Sequence, residues 1–561
     1  MKNLVIGYIP DNYSPDTYLV LGPWSFFKNQ KLLYNDATFE PDPYQSVNEL
    51  KSDAIQAESL TKYLLRICVK KLNILNNTNY STNFWRVLIM PWLSTLVQIT
   101  IERHRRISNL LEKYPDQSFS VELVGHKNNW KFFNTLDFIY AGVLNVYFNE
   151  WLFEKIIKHH PKKERFHITY IDRNVPNQGK RRKIDILLHL KNIKNKLINI
   201  FPVSSVYGIK FIEAPVWELL LKIISLRKKD YIPKIINSNN HSFDQLDKVL
   251  NIVDFESLID ETIPKVFQKI PMKLKSIKPR RLLIGPKNLF YNEVNKLKIA
   301  RHAEAGSKII GSQHGSMYGT TNINPFLASV EYVYDGFITW GWENHSEYKC
   351  KTIPLSSPHF NKRVWFKENS ILLIGTHSPL FNYRICSVPQ PADIIDGAKQ
   401  LAIFISFLNK KSKSNLVYRP YLDNHLCFNT KKFISSIYKN INIEKRSIKR
   451  RLYKAKLVVI DNPGTVLHQR MARNLPTLAF WNENMWGLSK QAEPYFKALR
   501  EAGILFHNER DAAMKVNEIW NNLSGWWEQP HIQKAREEWS WQYARYSKHW
   551  RWEWIKALWK L

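Results

Sequence analysis

The chain has 561 residues, of which 44% are hydrophobic and 13% aromatic. This composition excludes a disordered chain, and the length predicts two or three domains because one hydrophobic core does not grow this large. Lysine and arginine number 82 against 49 acidic residues, which gives a formal net charge of +33. Such an excess attracts phosphates, nucleotides, nucleic acid or an acidic membrane face, although a lysine-rich surface alone gives the same sum.

The cysteines and the apolar stretches exclude several further classes. The spacing of the four cysteines gives no C-x-x-C pair, so neither a zinc knuckle nor a disulfide framework is indicated. The N-terminus lacks the apolar length and cleavage site of a signal peptide. The longest apolar stretch, 84–101, contains Arg86, Pro91 and Gln98, which favours a buried helix over a membrane span. We therefore expect a cytoplasmic protein.

The first part of the chain predicts an α/β domain over residues 1–355, with a helical insertion at about 50–200. Short strands are expected at Leu4–Ile9 and Tyr18–Leu21. Apolar periodicity predicts helices over 55–74 and 84–113. The basic stretch 160–200, which proline and asparagine interrupt, is interpreted as an insertion or a loop-flanked strand pair.

From about residue 280, strands alternate with helices. A βαβ unit and a further strand are predicted from Arg281–Gly285, Phe290–Ala305, Lys308–Gly311 and Gly336–Trp340. The Pro-bearing stretch 352–368 is interpreted as a hinge. After it, strands are predicted at Ile371–Ile374, Leu416–Tyr418, Leu457–Ile460, Thr477–Phe480 and Ile504–Phe506, with helices near 393–409, 431–440, 465–473, 488–501 and 510–523. This alternation predicts a doubly wound Rossmann-like domain over 365–525 that binds a nucleotide sugar and faces the first domain across a cleft.

The C-terminal segment 526–561 holds eight of the 20 tryptophans, interleaved with basic residues. One interpretation is a basic aromatic helix lying on an acidic membrane. The favoured interpretation is a helical brace packed across the two domains, because Trp541, Arg545, Lys548 and Trp552 fall at helical spacing.

The turn Asp461-Asn462-Pro463-Gly464-Thr465 is the first candidate site. It follows a predicted strand and opens a predicted helix, where free backbone N–H groups attract phosphate. Gly464 allows close approach, the Thr465 hydroxyl can donate a hydrogen bond, and Asp461 can orient the turn. An ordinary helix cap by Thr465 is the structural alternative. The spacing is not that of a Walker loop.

Two other segments lie at predicted strand ends. Arg419, followed by Pro420, is expected at the rim of the same crevice, where its guanidinium can bind phosphate oxygens. The loop from Gln313 to Gly319 contains His314 between small residues, with Gly315 and Tyr318 beside it. This histidine can exchange protons near neutral pH, and we predict that it faces the phosphate turn.

Some common signatures are missing from the sequence. No D-x-D metal clamp, H-E-x-x-H, G-x-S-x-G or kinase motif is present. We therefore expect neither metal nor cofactor, with leaving-group charge stabilised by the helix start and Arg419.

The runs 456–465 and 474–481 resemble the donor half of GT-B-type capsule and O-antigen transferases, including CDP-glycerol-type polymerases and Kdo-transferring enzymes. Arg419 stands where those groups carry a His-Pro pair, so no role of that histidine is transferred. The Gln313-His314-Gly315 segment resembles the His-Gly loop of their acceptor half, whose histidine is a proposed base. Across its length the chain resembles a bacterial family of surface-carbohydrate transferases, on Tyr80-Ser81, Phe84-Trp85-Arg86, Pro91-Trp92-Leu93, Tyr318-Gly319, Thr339-Trp340-Gly341-Trp342 and Tyr543-Ala544-Arg545.

The resemblance implies a GT-B-like glycosyltransferase that moves a sugar from a nucleotide donor, with a CMP-activated acidic sugar such as Kdo or a nonulosonate as the leading donor. The acceptor is expected to be a surface polysaccharide or a lipid-linked sugar near His314, Gln313, Gly315 and Tyr318. Arg86 is either a buried ion-pair partner or an acceptor-site cation.

Two rival functions stay open: transfer of a polyol phosphate from CDP-glycerol or CDP-ribitol, and a non-catalytic basic scaffold on membrane or nucleic acid. Peripheral contact with the inner face of an anionic membrane is compatible with sugar transfer and with both rivals. Nucleic acid is not the expected partner.

Overall fold

The computed structural model describes residues 1–35, 37–125, 130–171, 251–270, 282–284, 290–343, 350–360, 368–376, 379–421, 427–445 and 448–561. Within them the chain forms three parallel sheets. The first contains β1 (Lys2–Val5), β2 (Tyr18–Val20), β3 (Phe119–Val124) and β4 (Phe166–Ile171), in the order β2-β1-β3-β4. The second contains β5 (Leu282–Ile284), β6 (Lys308–Ser312), β7 (Gly336–Thr339) and β8 (Lys351–Pro354), in sequence order.

The third sheet is the doubly wound unit. It contains β9 (Glu368–Ile374), β10 (Leu416–Arg419), β11 (Ala455–Ile460), β12 (Thr477–Phe480) and β13 (Leu505–Phe506), in the order β10-β9-β11-β12-β13. All its pairings are parallel, and its central strands are almost wholly buried, as helices on both faces require. The α/β prediction is confirmed.

Most predicted helices occur with shifted ends. The α-helices of more than one turn span Val47–Asn76, Thr82–Lys113, Val146–His159, Phe255–Thr262, Glu293–Glu304, Pro325–Val330, Pro391–Phe407, Lys410–Ser414, Thr430–Ile437, Ile448–Lys454, Thr465–Met471, Glu493–Glu501, Glu509–Ile519, Leu523–Trp527, Pro530–Tyr543 and Trp550–Lys560. The first begins earlier than expected because Ser46 and Glu49 form a reciprocal capping box.

The structure bears on three expectations for the N-terminal part. The region contains a complete parallel sheet of its own, whose strand β3 the sequence did not predict. The stretch 160–200 includes β4, and its remainder from residue 172 lies outside the described residues. The expected hinge at 352–368 begins within β8, which pairs in register with β7 through Ile338 and Ile353.

The Thr82–Lys113 helix is the central helix of the N-terminal half. It is long and apolar enough to cross a membrane, but 94% of its most apolar window is buried inside the protein. Its second half carries a buried charge network, in which Glu102 contacts both Arg103 and Arg106, and Arg106 Nη2 lies 2.7 Å from Asp42. Asn382, which follows β9, donates to Glu102 at 3.3 Å, so the network joins the N-terminal half to the third sheet.

The C-terminal segment forms two helices that pack across the second and third sheets. Trp539 is fully buried with its ring 4.9 Å from that of His468, and Trp554 Nε1 donates to the Ser356 carbonyl at 2.9 Å. The expected single helical spacing of Trp541 and Trp552 is wrong, because the chain leaves helical geometry between Tyr543 and Trp550. Both of those rings are exposed.

Candidate active site

The loops at the carboxyl ends of β6 and β11 meet. The Ser316 backbone N–H donates to the Thr465 hydroxyl oxygen at 3.1 Å, and a methyl group at Gly315 would lie 3.8 Å from that oxygen. Two further main-chain hydrogen bonds join the segment after β6 to the segment after β12, from Asn322 to Gly487 and from Ser489 to Thr320. The carboxyl-end loops of two parallel sheets therefore face each other, as the sequence predicts for the His314 loop and the phosphate turn.

His314 lies in this junction with its side chain 19% exposed. The Tyr318 hydroxyl lies 3.1 Å from Nδ1 and 3.2 Å from Nε2, and Glu331 Oε1 lies 3.7 Å from Nδ1. Burial raises the pKa of the Glu331 carboxyl to about 8, although the Tyr318 hydroxyl and the Arg384 guanidinium act to lower it. His314 therefore has a carboxyl neighbour that can stabilise an imidazolium once it is ionised.

The His314 loop is held in an unusual backbone conformation. Met317 has φ of +76°, which non-glycine residues rarely adopt and which costs about 1–3 kcal/mol. Gly319, with φ of +72°, lies where a Cβ would be 2.4 Å from the Trp342 ring. Such strain requires strong support from the surrounding structure.

Gln313 provides part of that support. It is 1% exposed, and its Oε1 accepts from the Trp340 backbone N–H at 2.9 Å and from Trp342 Nε1 at 2.8 Å. Its Nε2 donates to the Gly315 carbonyl at 3.0 Å. The structure thus makes Gln313 a positioning residue for the loop, instead of the acceptor-contacting residue that the sequence suggested.

The turn after β11 is held by its own side chains. Asp461 accepts from the Thr376 backbone N–H at 2.8 Å, from the Thr376 hydroxyl at 2.6 Å and from Asn462 Nδ2 at 2.8 Å. Asp461 therefore orients the turn against the end of β9, as expected. Burial raises the pKa of its carboxyl against the lowering effect of these hydrogen bonds.

The helix that follows the turn is short. It begins one residue earlier than the alternative of a helix capped by Thr465 requires. Gly464, instead of Thr465, is the N-cap, and a Cβ there would lie 2.1 Å from Asn462 Oδ1. His468 Nδ1 donates to the Gly464 carbonyl at 3.1 Å, and burial lowers its pKa to about 4, so this ring is neutral. Because the helix has seven residues, its dipole is weak, and cationic side chains must supply more of any anion stabilisation.

Arg419 occupies the same sheet edge as the turn but does not touch it. In register, Arg419 and Ile460 both pair with Ile374, so β9 separates them. Two strand spacings put Arg419 about 10 Å from the turn. Its Nη1 donates to the Pro420 carbonyl, and within the described part its Nε is buried with no hydrogen-bond partner.

Arg86 lies outside the β6 and β11 loops, near the start of the Thr82–Lys113 helix. It is half-buried, and Nη1 donates to Asn83 Oδ1 at 3.1 Å. Its charge acts on Tyr334, which also interacts electrostatically with Glu331, and the described residues give Arg86 no ion pair. The role of an acceptor-site cation stays a prediction.

Sequence reasoning missed Glu331, Arg384 and Thr376. Each lies on a different element from the residue that it supports, so no local spacing could reveal it. Among the described residues, no group of three or more His, Cys, Asp or Glu side chains could hold a metal ion. The prediction of metal-independent chemistry stays a prediction.

A groove of about 460 Å³ lies at the other end of the Thr465–Met471 helix. Its lining comes mainly from the C-terminal segment, including Arg536, Trp541, Arg545 and Tyr546. Helix rise puts Ala472, on the groove wall, about 10 Å from the turn. The groove brings together none of the predicted site residues, whereas the junction around His314 brings together several of them.

A site formed between the carboxyl-end loops of two parallel α/β sheets is typical of enzymes that bind substrates between domains. The model of the LIC12162 family transferases matches residues 2–558, and the chain belongs to this transferase family. No curated protein matches the sequence significantly.

Two solved glycosyltransferase structures show a weak likeness to the chain. A mutant O-GlcNAc transferase of Thermobaculum terrenum has 9% identity and a TM-score of 0.30, covering 85% of this chain and 78% of that one. WaaG, a glycosyltransferase involved in lipopolysaccharide biosynthesis, has 10% identity and a TM-score of 0.24, covering 59% and 88%. Because both TM-scores are low, the transferase assignment depends on the family match.

Proposed function

We propose that this transferase is a glycosyltransferase that moves a sugar from a nucleotide donor to a hydroxyl of a glycan or lipid-linked acceptor. The observation that carries the proposal is the 3.1 Å contact between Ser316 and Thr465, which brings His314 to the turn after β11. A proton acceptor and an anion-binding loop are the two elements that glycosyl transfer without metal requires.

In this proposal the donor phosphate binds at the turn after β11. The Thr465 hydroxyl accepts from Ser316 and keeps its own proton for donation to a phosphate oxygen. Gly464 allows close approach of the backbone. Arg419, at the same edge of the third sheet, supplies positive charge for the leaving nucleotide.

His314 receives the proton of the acceptor hydroxyl as that oxygen attacks the anomeric carbon. The resulting imidazolium is stabilised by the Glu331 carboxylate, whose Oε1 lies 3.7 Å from Nδ1. The role of a base applies to an inverting reaction; in a retaining reaction the same ring stabilises charge.

The leading donor is a CMP-activated acidic sugar, and the rival is a CDP-polyol whose phosphate is transferred. The net charge of +33 suits either anionic donor and also an anionic membrane beneath the acceptor. We place the reaction at the cytoplasmic face of the membrane. The exposed Trp541, Trp552 and Trp559 rings, each at least 45% exposed, suit an interfacial contact there.

The test is a panel of CMP-sugars, CDP-glycerol and CDP-ribitol incubated with the purified protein in EDTA, with released nucleotide measured. The proposal predicts slow hydrolysis of one CMP-sugar. Hydrolysis of a CDP-polyol alone favours the rival. A non-catalytic scaffold is favoured if nucleotides give no thermal shift while DNA or anionic lipid binds with steep salt dependence.

Replacement of Glu331 by glutamine tests its support of His314. With a pKa of about 8, raised from 4.5, the carboxyl is largely protonated at neutral pH and becomes ionised as pH rises. Wild-type turnover should therefore rise through pH 8, whereas E331Q should lack this rise and be at least roughly tenfold slower at pH 9.

The raised pKa of Glu331 also makes the stability of the protein depend on pH. A carboxyl whose pKa is raised on folding destabilises the protein progressively as pH rises from 4.5 to 8. The E331Q variant should therefore lose less thermal stability than wild type between pH 6 and 9, with the exposed Glu537→Gln as the matched control. Identical pH profiles for wild type and E331Q would contradict this role.

A further inference from the structure

Arg384 follows the third-sheet strand β9, and its side chain contacts residues that belong to the region of the second sheet. It lies between β9 and the Pro391–Phe407 helix, in a segment tied to the second sheet by the hydrogen bond from Ser387 to Ile323. Its guanidinium stacks on the Phe326 ring at 3.6 Å and lies 5.8 Å from the Phe290 ring. The Phe290 ring is itself 5.4 Å from that of His314, so one aromatic residue separates Arg384 from His314.

The guanidinium has few polar partners within the described part of the chain. Nη2 donates to the Tyr291 hydroxyl at 3.2 Å, and Nε is buried with no hydrogen-bond partner. Glu331 is the carboxyl on which the Arg384 charge acts, and with a pKa of about 8 it is largely neutral at pH 7. At neutral pH this cation therefore lacks an ionised counter-ion there.

Such a cation is costly unless something offsets the lost hydration. Stacking on Phe326 offers part of the compensation, since cation–π contacts stabilise a guanidinium by about 0.5–2 kcal/mol. A bound oxyanion would compensate more of the lost hydration, because a guanidinium binds carboxylate or phosphate through two parallel charged hydrogen bonds.

Several tyrosines lie near this cation, including Tyr383, whose ring is 5.0 Å from the guanidinium. Tyr140 is 51% exposed and Tyr421 is 62% exposed. Electrostatic coupling places Tyr291 and Tyr421 beside both Tyr140 and Tyr383. Tyr140 belongs to the π-helical turn Phe138–Val143, a feature frequent at functional sites. Aromatic faces with polar tips suit the mixed apolar and hydroxyl surface of a sugar.

We propose that Arg384 binds an oxyanion, carboxylate or phosphate, of a substrate beside His314. The proposal rests on the proposed glycosyltransferase function and adds Arg384 to Arg86 as a candidate cation for the substrate. The oxyanion comes either from the phosphate of the donor or from an acidic sugar, and both present the same chemistry to the guanidinium.

The test measures dissociation constants for orthophosphate, CMP and glucuronate by thermal shift, with neutral glucose as the reference. Arg384→Met should raise the dissociation constant of the anion by roughly 10- to 100-fold, since a charged hydrogen-bonding group is lost. Arg510→Met is the matched control, because Arg510 also stacks on an aromatic ring, Phe407 at 4.6 Å. Weakened phosphate and CMP binding identifies the donor phosphate, and weakened glucuronate binding identifies an acidic sugar.

Wild-type affinity for every anion in Arg384→Met, or no anion binding by the wild type, would overturn the proposal. Arg384→Gln serves if the methionine variant does not fold. Phenylglyoxal labelling of the wild type gives a second measurement. Either phosphate or glucuronate should protect Arg384 and not Arg510, and no protection by either anion overturns the proposal. His314→Ala should keep anion binding while losing transfer, so failure of the base and failure of the anion site give different results.

Discussion

His314→Ala is expected to lower the rate of transfer by about 10²- to 10⁴-fold, the range over which positioned acid–base groups accelerate reactions. Another described imidazole, that of His468, contacts the turn after β11. His468 is 1% exposed, and its pKa of about 4 keeps it neutral and bound to the Gly464 carbonyl. It therefore cannot replace His314. The measurement is the steady-state rate of nucleotide release with donor and acceptor at saturation.

The loss should occur without unfolding. Because the His314 side chain is only 19% exposed, the melting temperature of the variant is measured beside its rate. The matched control is His507→Ala, since His507 is 63% exposed and lies after β13, away from the junction. Wild-type turnover in His314→Ala, or equal losses in both variants, would remove His314 from the mechanism.

Glu102→Ala is expected to give the largest loss of stability, about 3–5 kcal/mol, because it breaks a buried ion-pair network. Arg103 and Arg106 are 0% and 3% exposed, and both lose a carboxylate partner. The same change removes the acceptor of the Asn382 hydrogen bond between the N-terminal half and the third sheet. Urea unfolding followed by tryptophan fluorescence measures the effect.

The control for Glu102 is Glu518→Ala, which removes a surface pair with Lys515 and should cost less than about 1 kcal/mol. The unfolding midpoint of Glu102→Ala should fall well below that of the control. Equal midpoints for the two variants would mean that the buried network contributes nothing to the junction of the N-terminal half with the third sheet.

The doubly wound sheet could be predicted because its strands are continuous apolar runs. Residues 457–460 and 477–480 have no charged side chain, as strands buried on both faces require. By contrast, β3 contains Glu122 and β8 ends in Pro354, so local patterns gave no clear strand signal there. Both strands form because neighbouring parallel strands pair with them.

The candidate site was predictable in part, for a related reason. The positions of His314 and Thr465 follow from the rule that functional loops occupy the carboxyl ends of parallel strands. The partners of these residues depend on tertiary contacts, as the 3.7 Å approach of Glu331 to His314 shows. The helix that contains Arg86 does carry buried ion pairs, but they lie several turns later, at Glu102 and Arg106. The charged residue in an apolar helix therefore predicted correctly that the helix carries buried ion pairs, but it predicted the wrong position for them.

The most direct test of the proposed donor site is a structure of the protein with bound CMP or CDP. We expect the phosphate at the turn of Gly464 and Thr465, where it accepts from the Thr465 hydroxyl while that oxygen accepts from the Ser316 N–H. A nucleotide bound elsewhere, for example in the groove beside Trp541, with no phosphate at the Thr465 hydroxyl, would contradict this donor site.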